Sequence, residues 1–284
     1  MSATVLALLA AFCFALGSTL QQRGTLETNA PEGDPRFLAE IIRKPVWLWG
    51  GGLHLFGCVL QAAALARGSL ALVQALCSLS LVFALPLGVR LTGQVIGRRS
   101  IIGAFVTLTG IIVFVALGQP QAGTTMPAAA DWLAAGLITA AVVFLLSGVG
   151  NRRRGPLSAV LFAAAAGVGF AFQAAVTKEF VTILGNGLGA ILSSWTTYAL
   201  LIAAVAGFAL QQSAPKTGFL APTMAACNTT SLTVSLILGV RLFGETLSKG
   251  QGRLSPAIIG LTIAIIGVIL LASPEPKKLE PVTE

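Results

Sequence analysis

The chain has 284 residues, of which 55% are hydrophobic and 10% charged, and its mean hydropathy is +0.87. A soluble domain carries roughly 25% charged residues, so this composition excludes one and points to an all-α, polytopic membrane protein. The net charge of +8 is not a nucleic-acid signature, because Lys and Arg sit in short loops beside apolar stretches, where they report membrane orientation.

Nine membrane spans are expected. The first is Ala3 to Leu20; it lacks a basic leader and is followed by Arg23, which fits a retained helix rather than a cleaved signal. A polar loop with Asn29, Pro31, Gly33 and Pro35 comes next. Within it, residues 36–44 are expected to form a short interfacial helix, with Phe37, Leu38, Ile41 and Ile42 on one face and Arg36, Arg43 and Lys44 towards anionic headgroups. The second span, Val46 to Ala66, opens with Trp47 and Trp49 at the interface. The third is Leu70 to Val89, the fourth Ile101 to Leu117 and the fifth Asp131 to Val149, stopped by Arg152-Arg153-Arg154. The sixth is Leu157 to Val176, the seventh Leu188 to Leu210, the eighth Phe219 to Val240 and the ninth Pro256 to Ala272. Cys13, Cys58, Cys77 and Cys227 fall inside apolar spans without CxxC or Cys/His spacing, and read as buried free thiols.

The chain repeats itself at half its length. Residues 60–120 resemble residues 210–276. Cys77 falls opposite Cys227, and Gly88-Val89-Arg90-Leu91-Thr92-Gly93 opposite Gly239-Val240-Arg241-Leu242-Phe243-Gly244. Ile101-Ile102-Gly103 falls opposite Ile258-Ile259-Gly260. With nine spans, one side receives Arg23, Arg36, Arg43, Lys44, Arg90, Arg98, Arg99, Arg152, Arg153, Arg154, Lys216, Lys277 and Lys278. The other receives Arg67, Lys178, Arg241, Lys249 and Arg253, so the first side is expected in the cytoplasm and the N-terminus outside. That orientation turns the two repeats upside down relative to each other, the plan that supports alternating access around a central site. The expected organisation is residues 1–120 as the first repeat, 121–155 as a linker span, 156–274 as the second repeat and 275–284 as a disordered cytoplasmic tail.

The inverted repeat, Gly244-Glu245-Thr246-Leu247 at the end of the eighth span and the Gly-rich final span resemble the EamA-like branch of the drug/metabolite transporter superfamily. The nine-span plan, the Gly17-Ser18-Thr19-Leu20-Gln21-Gln22-Arg23-Gly24 run and the Trp47-Leu48-Trp49 entry are more similar to the NIPA-like magnesium transporter family. The resemblance covers residues 6–271. It implies a carrier fold and, through the second family, a divalent cation as cargo. This chain departs from the pattern where Gln94 stands opposite Glu245, and where the third span lacks a Thr-Pro pair.

Polar side chains at membrane depth are the candidates for a site, since an unsatisfied polar group costs several kcal/mol there. Gln74 and Ser78 share a face of the third span, and Asn228 and Thr229 answer them in the eighth. Gln61 and Gln173 are single amides in the second and sixth spans. Each of these reads either as a solute contact or as a helix–helix hydrogen bond. His54 is the one histidine and reads as a proton relay or as a packed side chain. Arg23 and Lys178 end the first and sixth spans, as snorkelling anchors or as contacts for an anionic or phosphate-bearing substrate. Asp131, Glu179 and Glu245 all lie near span ends, so the residues argue against the magnesium that the resemblance implies, an ion held by carboxylates and water.

The expected function is secondary transport of a small polar or amphiphilic solute by alternating access. The alternatives are a Mg²⁺ transporter of the NIPA-like kind and a non-transporting membrane subunit that binds lipid or a partner protein. There is no GxxxxGK[ST], no HExxH and no Ser/His/Asp set, so neither an ATP-driven pump nor an enzyme is expected, nor a cofactor or resident metal. The expected partners are a small-molecule or ion substrate and membrane lipids, with a homodimer left open. The expected location is the plasma (inner) membrane, with the C-terminus in the cytoplasm.

Overall fold

A computed structural model of the chain describes residues 1–27, 43–93, 97–123, 125–153, 156–213, 220–247 and 254–271. Most of the interfacial helix expected at 36–44, the tail from 275 and Gln94 lie outside these. Apolar stretches become helices because a helix satisfies its own backbone inside hydrocarbon. In chain order these are α1 (Ala3–Leu26), α2 (Pro45–Leu65), α3 (Leu70–Cys77), α4 (Ser80–Thr92) and α5 (Arg98–Gly118). After strand β1 (Pro120–Gln121) come α6 (Ala129–Arg152), α7 (Pro156–Ile183), α8 (Leu188–Ser193), α9 (Trp195–Ser213) and α10 (Leu220–Phe243). Strand β2 (Thr246–Leu247) and α11 (Leu254–Leu271) complete the described chain.

Among the described residues, seven spans are long and apolar enough to cross a membrane, with α3 and α4 together making one of them. Two further apolar stretches, Trp195–Gly207 in α9 and Ala257–Leu270 in α11, are shorter. The protein is an all-α polytopic membrane protein.

Four details depart from the sequence reading. α1 runs to Leu26 rather than Leu20, because Arg23 and Glu27 pair at 3.0 Å one turn apart and carry the helix through its polar end. α7 runs to Ile183 rather than Val176, since the charge expected to end it is neutralised by a distant residue. The seventh span is interrupted: Ser194 is extended (φ −79°, ψ 135°) between α8 and α9, and its Oγ accepts from the Thr196 backbone N–H as an N-cap. The third span is broken at Ser78–Leu79. There the Leu79 and Leu81 N–H groups reach back three residues, to Leu76 and Ser78, instead of four. The break lies roughly 12 Å into a span of about 33 Å, at 1.5 Å per residue.

Packing pairs the helices in a regular way. α1 lies against α2 and along α3 and α4, and α7 lies against α9 and along α10. α5 lies against α11. This last contact is backbone on backbone: a Cβ on Gly110 would sit 2.7 Å from both Ala264 Cα and the Gly260 oxygen, and one on Gly260 would sit 2.9 Å from Phe114 Cα. α3 also touches α10, α7 and α5, and α2 touches α7, so the two halves meet through the third span as well as through α5 and α11. The core they share includes Leu70, Val73, Leu76, Ala171, Ala174, Ala175 and Val176. α6 packs along α7 at the edge of the bundle, with only Trp132 and Gly150 buried, and turns Leu133, Leu137, Ile138, Phe144 and Leu145 outwards.

Two glycines end corresponding helices in the same manner. Gly93 after α4 has φ 68° and Gly244 after α10 has φ 61°, the left-handed conformation in which glycine avoids a Cβ clash. β1 and β2 then pair antiparallel, Pro120 with Leu247 and Gln121 with Thr246, and tie the loop after α5 to the loop after α10.

Candidate functional site

The candidate residues Gln61, Gln74, Gln173, Asn228 and Thr229 sit on four helices: α2 touches α3 and α7, and α3, α7 and α10 touch one another. Gln61 of α2 donates from Nε2 to Gln74 Oε1 of α3 at 3.1 Å. Gln74 is buried, as is Ser78 one turn further on, at the helix break. Ser78 spends its hydroxyl proton locally, on the Ala75 carbonyl at 2.7 Å. On α7, the buried Oε1 of Gln173 has no hydrogen-bond partner among the described residues, and neither has the buried Oγ1 of Thr229 on α10. Gly167 lets the α7 backbone close on the turn of α10 that bears Asn228 and Thr229: a Cβ there would lie 3.1 Å from both the Cys227 carbonyl carbon and the Ser231 nitrogen. Asn228 is half-buried and takes part in a further interaction. Four helices thus supply an amide pair and two unsatisfied oxygens. A membrane interior tolerates such groups poorly unless something with donors satisfies them.

A second arrangement closes one end of the bundle, and the charge in it comes from Glu245. The Gly244 turn brings the Glu245 N–H back to the Gly239 oxygen at 3.0 Å. Gly239 has no side chain, and a Cβ there would strike Glu245 Oε2. The carboxylate is thereby aimed at the start of α3. Its Oε1 accepts from the Leu70 N–H at 2.5 Å and its Oε2 from the Ala71 N–H at 3.1 Å. Ser69, the N-cap, accepts from the Leu72 N–H at 3.1 Å and donates to the Pro120 carbonyl at 3.4 Å. Lys178 Nζ reaches the same Oε1 at 2.5 Å, with the two side chains 12% and 3% exposed. The positive end of α3 and the ammonium of α7 therefore share one buried carboxylate.

Aromatic rings cover the pair. Lys178 Nζ lies 4.7 Å from the centre of the Phe243 ring, and Phe243 meets Trp132 edge-on at 6.0 Å. Trp132 also meets Trp195 at 5.2 Å and Phe172 at 6.2 Å. Gly123 lets the loop before α6 lie against the end of α10: a Cβ there would come 2.7 Å from the Gly244 oxygen.

Of the nine candidate side chains, the structure joins Gln61 to Gln74 directly, and sets Ser78, Gln173, Asn228 and Thr229 on helices around them. It does not join Arg23 and Lys178 into one site. Lys178 is a buried ion-pair partner, whereas Arg23 is 45% exposed and pairs with Glu27 of its own helix. His54 packs its ring against Phe14 at 4.8 Å and 45°, and its buried Nδ1 has no partner among the described residues. Among the described residues, no three His, Cys, Asp or Glu side chains gather where a metal ion would fit.

The sequence reading missed Glu245 and Ser69 as site residues. The signal for Glu245 was present: the repeat sets it directly after a capping glycine, where the first copy has Gln94. The buried, unpartnered hydroxyls of Ser147 and Ser235 carried no comparable signal.

No protein-family profile and no solved structure matches the chain. It is similar to an uncharacterized protein of Corynebacterium glutamicum, at 26% identity over 276 residues, spanning 95% of this chain and 94% of the relative. The likeness therefore runs through nearly the whole length of both chains.

Proposed function

We propose that the chain is a secondary transporter that carries a small polar or amphiphilic solute by alternating access, within the EamA-like and NIPA-like group that its repeat resembles. The reading takes nine spans: α1, α2, α3–α4 and α5 form one repeat, α7, α9, α10 and α11 the other, and α6 is the linker that inverts the second. Three facts support it. The helix pairings of one half correspond to those of the other, α5 and α11 meet as counterparts, and Gly93 and Gly244 cap corresponding helices in the same left-handed turn.

The observation that carries the proposal is the polar layer between the halves. The Gln61–Gln74 pair and the unsatisfied Gln173 Oε1 and Thr229 Oγ1 lie on helices of both repeats, beside a span broken about a third of the way in. Discontinuous helices around a central site are how such carriers expose polar groups to cargo. The lining is neutral, which suits a solute with hydrogen-bond donors better than a bare divalent cation.

Thermal-shift screening of the purified protein against metal ions, metabolites and lipid phosphates identifies the cargo, and uptake into proteoliposomes then measures its transport. Gln74→Ala and Asn228→Ala are expected to lower uptake roughly tenfold, the effect of losing about 1.4 kcal/mol of solute contact, while the protein still inserts. Normal uptake by both variants would remove this site. A stabilising ligand that is never moved would favour the membrane-subunit reading, and Mg²⁺ uptake the cation reading.

A further inference from the structure

We propose that Glu245 is a one-sided latch, and that it makes the state closed at the outer face the resting state of the carrier. The inference rests on the transport reading above and on the orientation given by the basic loops. In that orientation Ser69, Lys178, the Pro120–Gln121 strand and Glu245 all lie at the outer end.

The latch joins pieces that alternating access has to separate. Glu245 belongs to the loop after α10 in the second repeat, and Leu70 and Ala71 begin α3 in the first. The carboxylate binds them while also holding Lys178 of α7. Directly below, one helical turn along α3, lies Gln74 with its partner Gln61. A carboxylate that bridges the two halves above the polar layer closes the route from the outer face to that layer. The pairing of β1 with β2 holds the same two loops together beside it.

Among the described residues, no ion pair at the other end bridges the two halves. The repeat places Gln94 where Glu245 stands, each following a left-handed glycine, Gly93 or Gly244. An amide carries no charge wherever it sits, so it cannot form the counterpart of the Lys178 ion pair. The basic residue at the matching end of α1, Arg23, is 45% exposed and is matched by Glu27 on its own helix at 3.0 Å. Inverted repeats alone would make inward- and outward-closed states nearly equal in energy. One charged latch against one neutral counterpart breaks that balance. The outer mouth is held by a buried ion pair with two helix-capping hydrogen bonds, a set that the described residues of the cytoplasmic end do not repeat.

The test is side-specific labelling of a cysteine below the latch. Cys13, Cys58, Cys77 and Cys227 are replaced by alanine, Gln74→Cys is added as reporter, and a membrane-impermeant thiol reagent is applied from either face of oriented vesicles. With Glu245 present, labelling should come from the cytoplasmic face and be shielded from outside. Glu245→Gln should raise outside labelling about tenfold, the population shift expected for one lost charged contact. Gln94→Glu, which leaves the outer end untouched and gives the first repeat the acid that the second carries at Glu245, should shift labelling in the same direction by closing the cytoplasmic mouth. It decides the matter if Glu245→Gln does not fold. A reporter labelled from the cytoplasm to the same extent in every variant overturns the latch and leaves the transport reading standing. A reporter reached from neither face in any variant overturns both.

Discussion

Replacing Lys178 with methionine keeps the length of the side chain and removes its charge. The Glu245 carboxylate, 3% exposed, then remains buried with only the Leu70 and Ala71 N–H groups to stabilise it. Breaking a buried pair by removing one partner costs about 3–5 kcal/mol. The two remaining helix-terminal bonds are charge-assisted and persist, so the loss should fall at the lower end, about 3 kcal/mol. Glu245→Gln leaves the opposite fault, an ammonium over the Phe243 ring with no anion beside it, and should cost a similar amount. The double variant has neither buried charge. Because a neutral replacement of a whole buried pair is often harmless, its loss should be smaller than the sum of the two, with a coupling of about 2 kcal/mol. The assay is equilibrium unfolding in mixed micelles, followed by tryptophan fluorescence. Trp132 and Trp195 meet edge-on at 5.2 Å in the same cluster and report this end of the bundle directly. Losses that add within about 0.5 kcal/mol would show that the two charges do not stabilise each other. An unchanged Lys178→Met would show the same.

Two further outcomes test the framework. Gly110→Ala should destabilise the protein by about 1–3 kcal/mol, because the new methyl meets backbone atoms of α11 that no rotamer change can move. Gly148→Ala on α6 has nothing within 4 Å and should be neutral or stabilising by up to about 1 kcal/mol, so equal effects in a thermal melt would refute the α5–α11 contact. Tags on the two ends of the chain should report opposite compartments; tags on the same side would mean an even number of spans and break the inverted arrangement.

The order of helices was legible because hydrocarbon sets the length of a spanning segment and forbids most charge within it. The ends of α4 and α10 were legible too, since a glycine such as Gly93 or Gly244 is needed where a helix ends in a left-handed turn. The break at Ser78–Leu79 was not, because neither Pro nor Gly stands there to announce it; the departure from regular helix is held by surroundings that one stretch of sequence does not contain. The pairing of Gln61 with Gln74 joins residues 13 apart across a short turn and was nearly within local reach. Glu245 shows the opposite limit. Its sequence neighbours say only that an acid follows a helix cap. Its partners lie 67 and 175 residues away, and it becomes a site residue only when Gly239 makes room for it and the start of α3 and the end of α7 are packed against it. Local sequence thus determined what can live in the membrane. Long-range packing decided which charge is buried, because the energy of a buried charge depends on what surrounds it and not on what precedes it in the chain.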